Sequence, residues 1–298
     1  MSSRRRDNPF SRGGASRLTG HNQVSESSPQ PAFRRAAIRG KPAWLFGIPA
    51  AILVCLWAIP LASLLWRGAA IGIGPYIRDP MVLSALRLSL ITSTTTALIV
   101  VVTGTPLAYA LARWRFPARS LIEVVIDLTL VLPPAVAGVG LLIAFGRRGV
   151  LGPALGILGL SLPFTTTAVV MAQTFVAAPF FVRAARIGFE AIDVQLEEAA
   201  TTEGASQWQL FRYVMMPLAG RALLGGIVLC WTRALGEFGA TILFAGNMLG
   251  STQTMPLAIY LGFERDVSIA VALSVVLLLI SGVLLTALRR LENTTLVT

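Results

Sequence analysis

Six apolar blocks, each long enough to cross about 30 Å of hydrocarbon as a helix, dominate the chain. They run from about Trp44 to Trp66, Leu88 to Leu111, Leu121 to Phe145, Leu162 to Val182, Ala222 to Ala245 and Val267 to Leu288. With 55% hydrophobic residues, 13% charged residues and a mean hydropathy of +0.72, most of the chain has lipid as its solvent. The expected fold class is therefore an all-α integral membrane protein with six transmembrane helices.

The formal charge of +11 does not point to nucleic acid, because it is concentrated at one end. Residues 1–43 hold nine of the 25 basic side chains (Arg4, Arg5, Arg6, Arg12, Arg17, Arg34, Arg35, Arg39 and Lys41) against Asp7 and Glu26 alone. This Ser, Pro and Arg-rich segment is too polar to fold alone and is expected to be a disordered cytoplasmic tail with a membrane-surface and topology role. Its basic region is too long for a signal peptide, and no small-residue cleavage site follows within reach. Arg113, Arg115, Arg119, Arg183, Arg186, Arg212, Arg221, Arg289 and Arg290 fall in connections on the same side as the tail. The opposite side carries Arg67, Arg78, Arg147, Arg148 and Arg265. The positive-inside bias puts both termini and the long loop at about 183–221 in the cytoplasm. The expected organisation is a tail (1–43), a six-span domain (44–290) and a short cytoplasmic end (291–298).

Cys55 and Cys230 sit inside apolar blocks with no histidine or acid at ligand spacing, and the only histidine is His21 in the tail. Neither a metal site nor a disulfide framework is expected. In the second span Ser89, Thr92, Thr96 and Thr103 recur on one helical face. They either line an aqueous path or close a helix contact by bonding to backbone carbonyls. Pro133-Pro134 interrupts the third span as a packed bend or a moving gate. Glu123 and Asp127, near its cytoplasmic end, are expected to meet basic partners. The Gly and Pro-rich segments Gly149–Leu162 and Gly246–Phe263 read as loops on the outer surface.

The longest polar stretch between apolar blocks runs from Asp193 to Pro217. Asp193 is expected to cap a helix with Glu197 and Glu198 near its start, and Gly204 to end it. Ser206 followed by Gln209 has capping-box spacing, so a second helix starts at once with Trp208, Phe211 and Met215 along one side. The stretch resembles the EAA motif of ABC importer membrane subunits: Glu198, Ala199 and Ala200, three residues, Gly204, nine residues, Val214, one residue, Met216, then Pro217. Where many members carry an apolar residue before the glycine, this chain has Glu203. The resemblance implies a type I importer permease fold, with this loop as the coupling helix that docks into a groove of a separate ATPase.

The fifth span contains Arg233-Ala-Leu-Gly236-Glu237-Phe-Gly239-Ala-Thr241. Counting from Arg221 at the inner face, a rise of about 1.5 Å per residue puts Arg233 roughly 17 to 18 Å deep. A lone charge there costs about 2.5 to 3.5 kcal/mol, so Arg233 is expected to pair or to face water, with Glu237 as the obvious partner. The two form a helix-locking salt bridge, or Arg233 meets a passing anion. This stretch, with Phe244-Ala-Gly-Asn247 and Thr252-Gln-Thr-Met-Pro-Leu-Ala-Ile-Tyr260, resembles the molybdate branch of the sulfate/molybdate permeases. Pro133-Pro134, Phe145-Gly-Arg-Arg-Gly149, Gln173-Thr-Phe175 and Pro179-Phe180 do so too, over about residues 80 to 290. The resemblance implies a prokaryotic inner-membrane permease that forms the path for a tetrahedral oxyanion: molybdate, tungstate or sulfate. It further implies a second copy of the chain, two ATPase subunits that hold ATP and Mg, and an extracytoplasmic oxyanion-binding protein.

The chain's only lysine, Lys41, is followed by Pro42, so the Gly-x4-Gly-Lys-Ser/Thr phosphate loop is missing and no catalytic or cofactor site of its own is expected. Two other classes compete. An ion-coupled secondary transporter calls for membrane acids suited to coupling ions and an internal repeat, and the sequence shows no convincing repeat. A membrane-embedded enzyme calls for an intramembrane histidine, metal constellation or nucleophile elbow, and none is present.

Overall fold

A computed structural model describes residues 43–294, and all of the regular structure among them is helical. The expected basic tail, up to residue 42, and the last four residues lie outside the described residues. The chain divides into two units, Met1–Ile52 and Leu53–Thr298. The described part of the first is the opening of α1 (Ala43–Ile71), which is exposed from Phe46 to Ile52.

The main helices of the second unit are α2 (Pro80–Arg113), α3 (Arg119–Val131), α4 (Pro134–Phe145) and α5 (Thr166–Glu190). They continue with α6 (Val194–Thr202), α7 (Gln207–Leu218), α8 (Gly220–Leu235) and α9 (Gly239–Phe244). The last two are α10 (Met255–Arg265) and α11 (Val267–Thr294). Local sequence sets several ends. Asp79 Oδ1 accepts from Met81 N at 2.8 Å just before Pro80, where the missing N–H costs nothing. Thr165 does the same for α5 through Ala168 N at 3.2 Å.

Among the described residues three helices are continuous, long and apolar enough to cross a membrane: Phe46–Ile71, Pro80–Arg113 and Thr166–Glu190. The expected count of six spans is not confirmed by these helices, because two of the apolar blocks are broken. The third apolar block is two helices, because Leu132 and Pro133 leave the helical region (ψ 129° and 132°) and Pro134 starts α4 afresh. The fifth is also two: α8 stops at Leu235, and three residues intervene before α9. The expected outer loop Gly246–Phe263 contains a helix, α10, that composition alone hid behind glycine, threonine and proline. Thr254 turns the chain and Pro256 sits in the first turn of that helix.

The largest core lies where α2, α5 and α8 pack, with Leu111, Phe181, Phe189 and Ala234 fully buried. A second core joins α4, α5 and α9 through Leu141, Ala172 and Phe244. A third joins α2, α10 and α11 through Val82, Met255 and Leu273. The helices around the two breaks are thus held by packing, which lets them support irregular backbone at membrane depth.

Candidate functional site

The stretch 193–217 is stiff because its turns satisfy one another. Asp193 Oδ1 accepts from Gln195 N at 2.9 Å and starts α6. The helix ends in a Schellman arrangement: Gly204 N donates to Thr201 O and Ala205 N to Ala200 O, each at 3.0 Å. Gly204 has φ +88°, a backbone state that a residue with a Cβ enters only with strain. Two residues after Gly204 the capping box closes: Ser206 Oγ accepts from Gln209 N, and Gln209 Oε1 accepts from Ser206 N at 2.8 Å.

Helix α7 departs from the expected single apolar side. Its middle, Leu210–Met215, is a π turn with wider spacing, which turns both Leu210 and Met215 inward. Trp208 is left outside, its ring 5.8 Å from Phe211. Of the motif residues, Glu198, Ala199, Gly204 and Pro217 are exposed, and Ala200, Val214 and Met216 are half-buried against the core. The stretch therefore offers small and acidic residues to the outside and anchors itself by its apolar ones.

Arg113, counted in the sequence only for its charge, and Tyr109, which the sequence did not single out, tie this stretch to the membrane helices. Arg113, at the end of α2, places one guanidinium nitrogen 2.7 Å from Glu197 Oε1 and donates to Ile192 O at 2.7 Å. Beside it, Tyr109 meets the rings of Trp114, Phe189 and Phe211 edge-on at 5.0 to 6.1 Å. Together they wall a groove of about 760 Å³, completed by Glu198, Thr201 and Gln207. The signal available in the sequence was an arginine in the last turn of a helix, which the dipole favours but which names no partner.

A second charged group fastens α3 to α5. Glu123 Oε1 lies 2.9 Å from Arg119 and 3.0 Å from Arg186, and Arg186 also holds Glu190 at 2.7 Å. Asp127 and Arg183 approach to 3.9 Å with both side chains mostly exposed. Glu123 and Asp127 thus do meet basic partners, as expected.

In the fifth block Arg233 Nη1 stands 2.8 Å from Glu237 Oε2. The pair does not lie within one continuous helix: it spans the end of α8, and Glu237 Oε1 accepts from Ala240 N at 2.8 Å in the first turn of α9. Glu237 is 1% exposed, while the arginine keeps about a quarter of its side chain open. The carboxylate therefore joins the two halves of the broken block. The two breaks also meet. A Cβ at Gly239 would lie 3.0 Å from Pro134, and one at Gly138 would lie 2.9 Å from the backbone of Ala240, so α9 rests directly on α4. Gly236 is exposed at the turn, and Thr241 is fully buried behind it.

Ser89, Thr92 and Thr96 of the hydroxyl face are fully buried. Ser89 Oγ accepts from Met255 N at 2.7 Å, and Thr96 Oγ1 donates to Gln173 Oε1 at 3.1 Å. In this conformation they close helix contacts with α10 and α5. Thr103 is exposed and donates to Ile99 O at 2.8 Å. The same interior holds Gln173 Nε2, Gln253 Oε1, Thr241 Oγ1 and Thr254 Oγ1 without hydrogen-bond partners. Of these, only Thr241 was among the expected site residues.

Residues 104–293 match the family described as "Binding-protein-dependent transport system inner membrane component". This chain belongs to that family. The molybdenum transport system permease protein ModB of Mycobacterium tuberculosis is 38% identical over 241 residues, 81% of this chain and 91% of that protein. The sulfate transport system permease protein CysT of Escherichia coli is 34% identical over 247 residues, 81% of this chain and 89% of that one. Among solved structures, a bacterial ABC transporter involved in the import of the acidic polysaccharide alginate superposes with a TM-score of 0.66 at 16% identity. The match covers 83% of this chain and 95% of that chain. The fold is that of an ABC importer permease.

Proposed function

We propose that this chain is the membrane permease of an ATP-driven importer for a tetrahedral oxyanion, and that the anion is molybdate. The observation that carries the mechanism is the 193–217 stretch: a doubly capped, glycine-turned element that shows Glu198, Ala199 and Gly204 outward while its apolar residues grip the core. Small residues permit close approach of a partner's backbone, and Glu198 supplies an anionic contact. The chain supplies the path and no ATP site of its own; two ATPase subunits hold ATP and Mg. A second copy of the chain completes the path, and an extracytoplasmic binding protein delivers the anion.

The arrangement in the membrane is six crossings, with the third made of α3 and α4 and the fifth of α8 and α9. Both termini and the 193–217 stretch lie in the cytoplasm of a prokaryotic cell, on the side where arginine is abundant. The domain limits remain 44–290 for the membrane unit, between the tail and the short C-terminal end. Arg233 and Glu237, with Gly236, Gly239 and Thr241, form the break at which the path narrows. The arginine is the only cation the fifth block offers to a dianion.

Molybdate is favoured over sulfate by the higher identity to the molybdenum permease relative over the same share of this chain. Uptake of trace molybdate by cells carrying this permease with its cognate partners tests the assignment. Tungstate should compete and a large excess of sulfate should not. Equal competition by sulfate would reassign the chain to sulfate import.

A further inference from the structure

We propose that Arg113 is a positioning residue: the strut through which displacement of the 193–217 stretch reaches the membrane helices. The proposal rests on reading that stretch as the ATPase-coupling element. Helix α6 carries the Glu-Ala-Ala residues yet buries none of its own side chains, so apolar packing holds it only weakly. Its firm attachment is polar. The Arg113 side chain, 12% exposed, forms an ion pair with the Glu197 carboxylate, 17% exposed, at 2.7 Å. The same guanidinium bonds Ile192 O at 2.7 Å, immediately before the Asp193 cap. The one terminal nitrogen Nη2 thus touches α6 in its first turn and again at the turn that feeds it, a placement that the shorter lysine side chain does not reach.

Arg113 also sits at the end of a 34-residue helix whose far half packs on α5 and α10 through Thr96 and Ser89. A push on α6 is therefore delivered to the helix that contacts both of the other supporting elements. Loss of the strut should leave docking intact, because the outward residues Glu198, Ala199 and Gly204 are untouched, but it should let α6 move without α2.

The test uses the complete complex of permease, ATPase and binding protein in lipid vesicles. Three quantities are read: ATPase subunits retained per permease, hydrolysis stimulated by molybdate-loaded binding protein, and molybdate transported per ATP. For Arg113→Ala the strut predicts normal retention, continued hydrolysis and about a tenfold fall in molybdate per ATP. Arg113→Lys should fall between that variant and the parent. Charge exchange in the double variant Arg113→Glu/Glu197→Arg should recover part of the ratio lost by Arg113→Glu alone, an effect that general destabilisation does not produce. Parental molybdate per ATP in both Arg113→Ala and Arg113→Lys overturns the proposal. If Arg113→Ala yields no folded complex, Arg113→Lys decides in the same way. Glu198→Arg is the control for the underlying reading. If it too assembles and transports as the parent does, the coupling assignment of the loop has failed; if it loses the ATPase while the Arg113 variants keep the parental molybdate per ATP, only the strut has.

Discussion

Glu237 is a carboxylate with 1% exposure, and its burial is compensated by the ion pair with Arg233 and the hydrogen bond it accepts from Ala240 N. Removing one partner of a buried pair leaves the other charge uncompensated, at a cost of about 3 to 5 kcal/mol. Arg233→Leu and Glu237→Leu should each lower the yield of monodisperse protein and its thermal midpoint in detergent. The double variant should recover part of the loss, and only part, because α9 still lacks the carboxylate on its first turn. Full yield in both single variants would show that the pair is not structural. Recovery of yield without recovery of uptake would place Arg233 on the anion's path.

Among the elements, the loop helices and the Pro133-Pro134 break were the most legible in the sequence, and the break in the fifth block the least. Asp193, Ser206 with Gln209, and Gly204 could be read directly, because each obeys a rule that involves only neighbours within four residues. The π turn at Leu210–Met215 could not, since it arises from the need to turn two residues inward against a core built by α2 and α5. The break after Leu235 was hidden for a similar reason. The four-residue spacing of Arg233 and Glu237 suits a continuous helix and does not reveal that Glu237 also meets α9. The hydroxyl face on α2 was visible, but whether it faced a path or a neighbour depended on Gln173 and Met255, distant in sequence. Two glycines make these elements testable. Gly138→Val would drive a side chain into the Ala240 backbone, displacing α9 at a cost of about 1 to 3 kcal/mol, and a thermal melt should show it. At Gly204 nothing lies within 4 Å of an added Cβ, so Gly204→Val should act through φ strain alone, about 1 to 2 kcal/mol. Gly204→Asn, which tolerates that backbone region, should be milder in the same melt.

At the scale of the whole molecule, helices with two apposed breaks are tied to the exposed 193–217 stretch through few attachments. Gln207 is exposed at the start of α7, so a thiol placed there should be labelled from the cytoplasm and not from outside. Labelling from the outer face would reverse the topology and remove the ATPase from reach. The most direct test is hydrolysis and assembly in the purified permease–ATPase complex in lipid, comparing the parent with Glu198→Arg and Gly204→Val. The account predicts that both variants insert normally yet lose retained ATPase or the hydrolysis stimulated by molybdate-loaded binding protein. If both retain the ATPase, hydrolyse and import molybdate as the parent does, the 193–217 stretch does not couple ATP to transport.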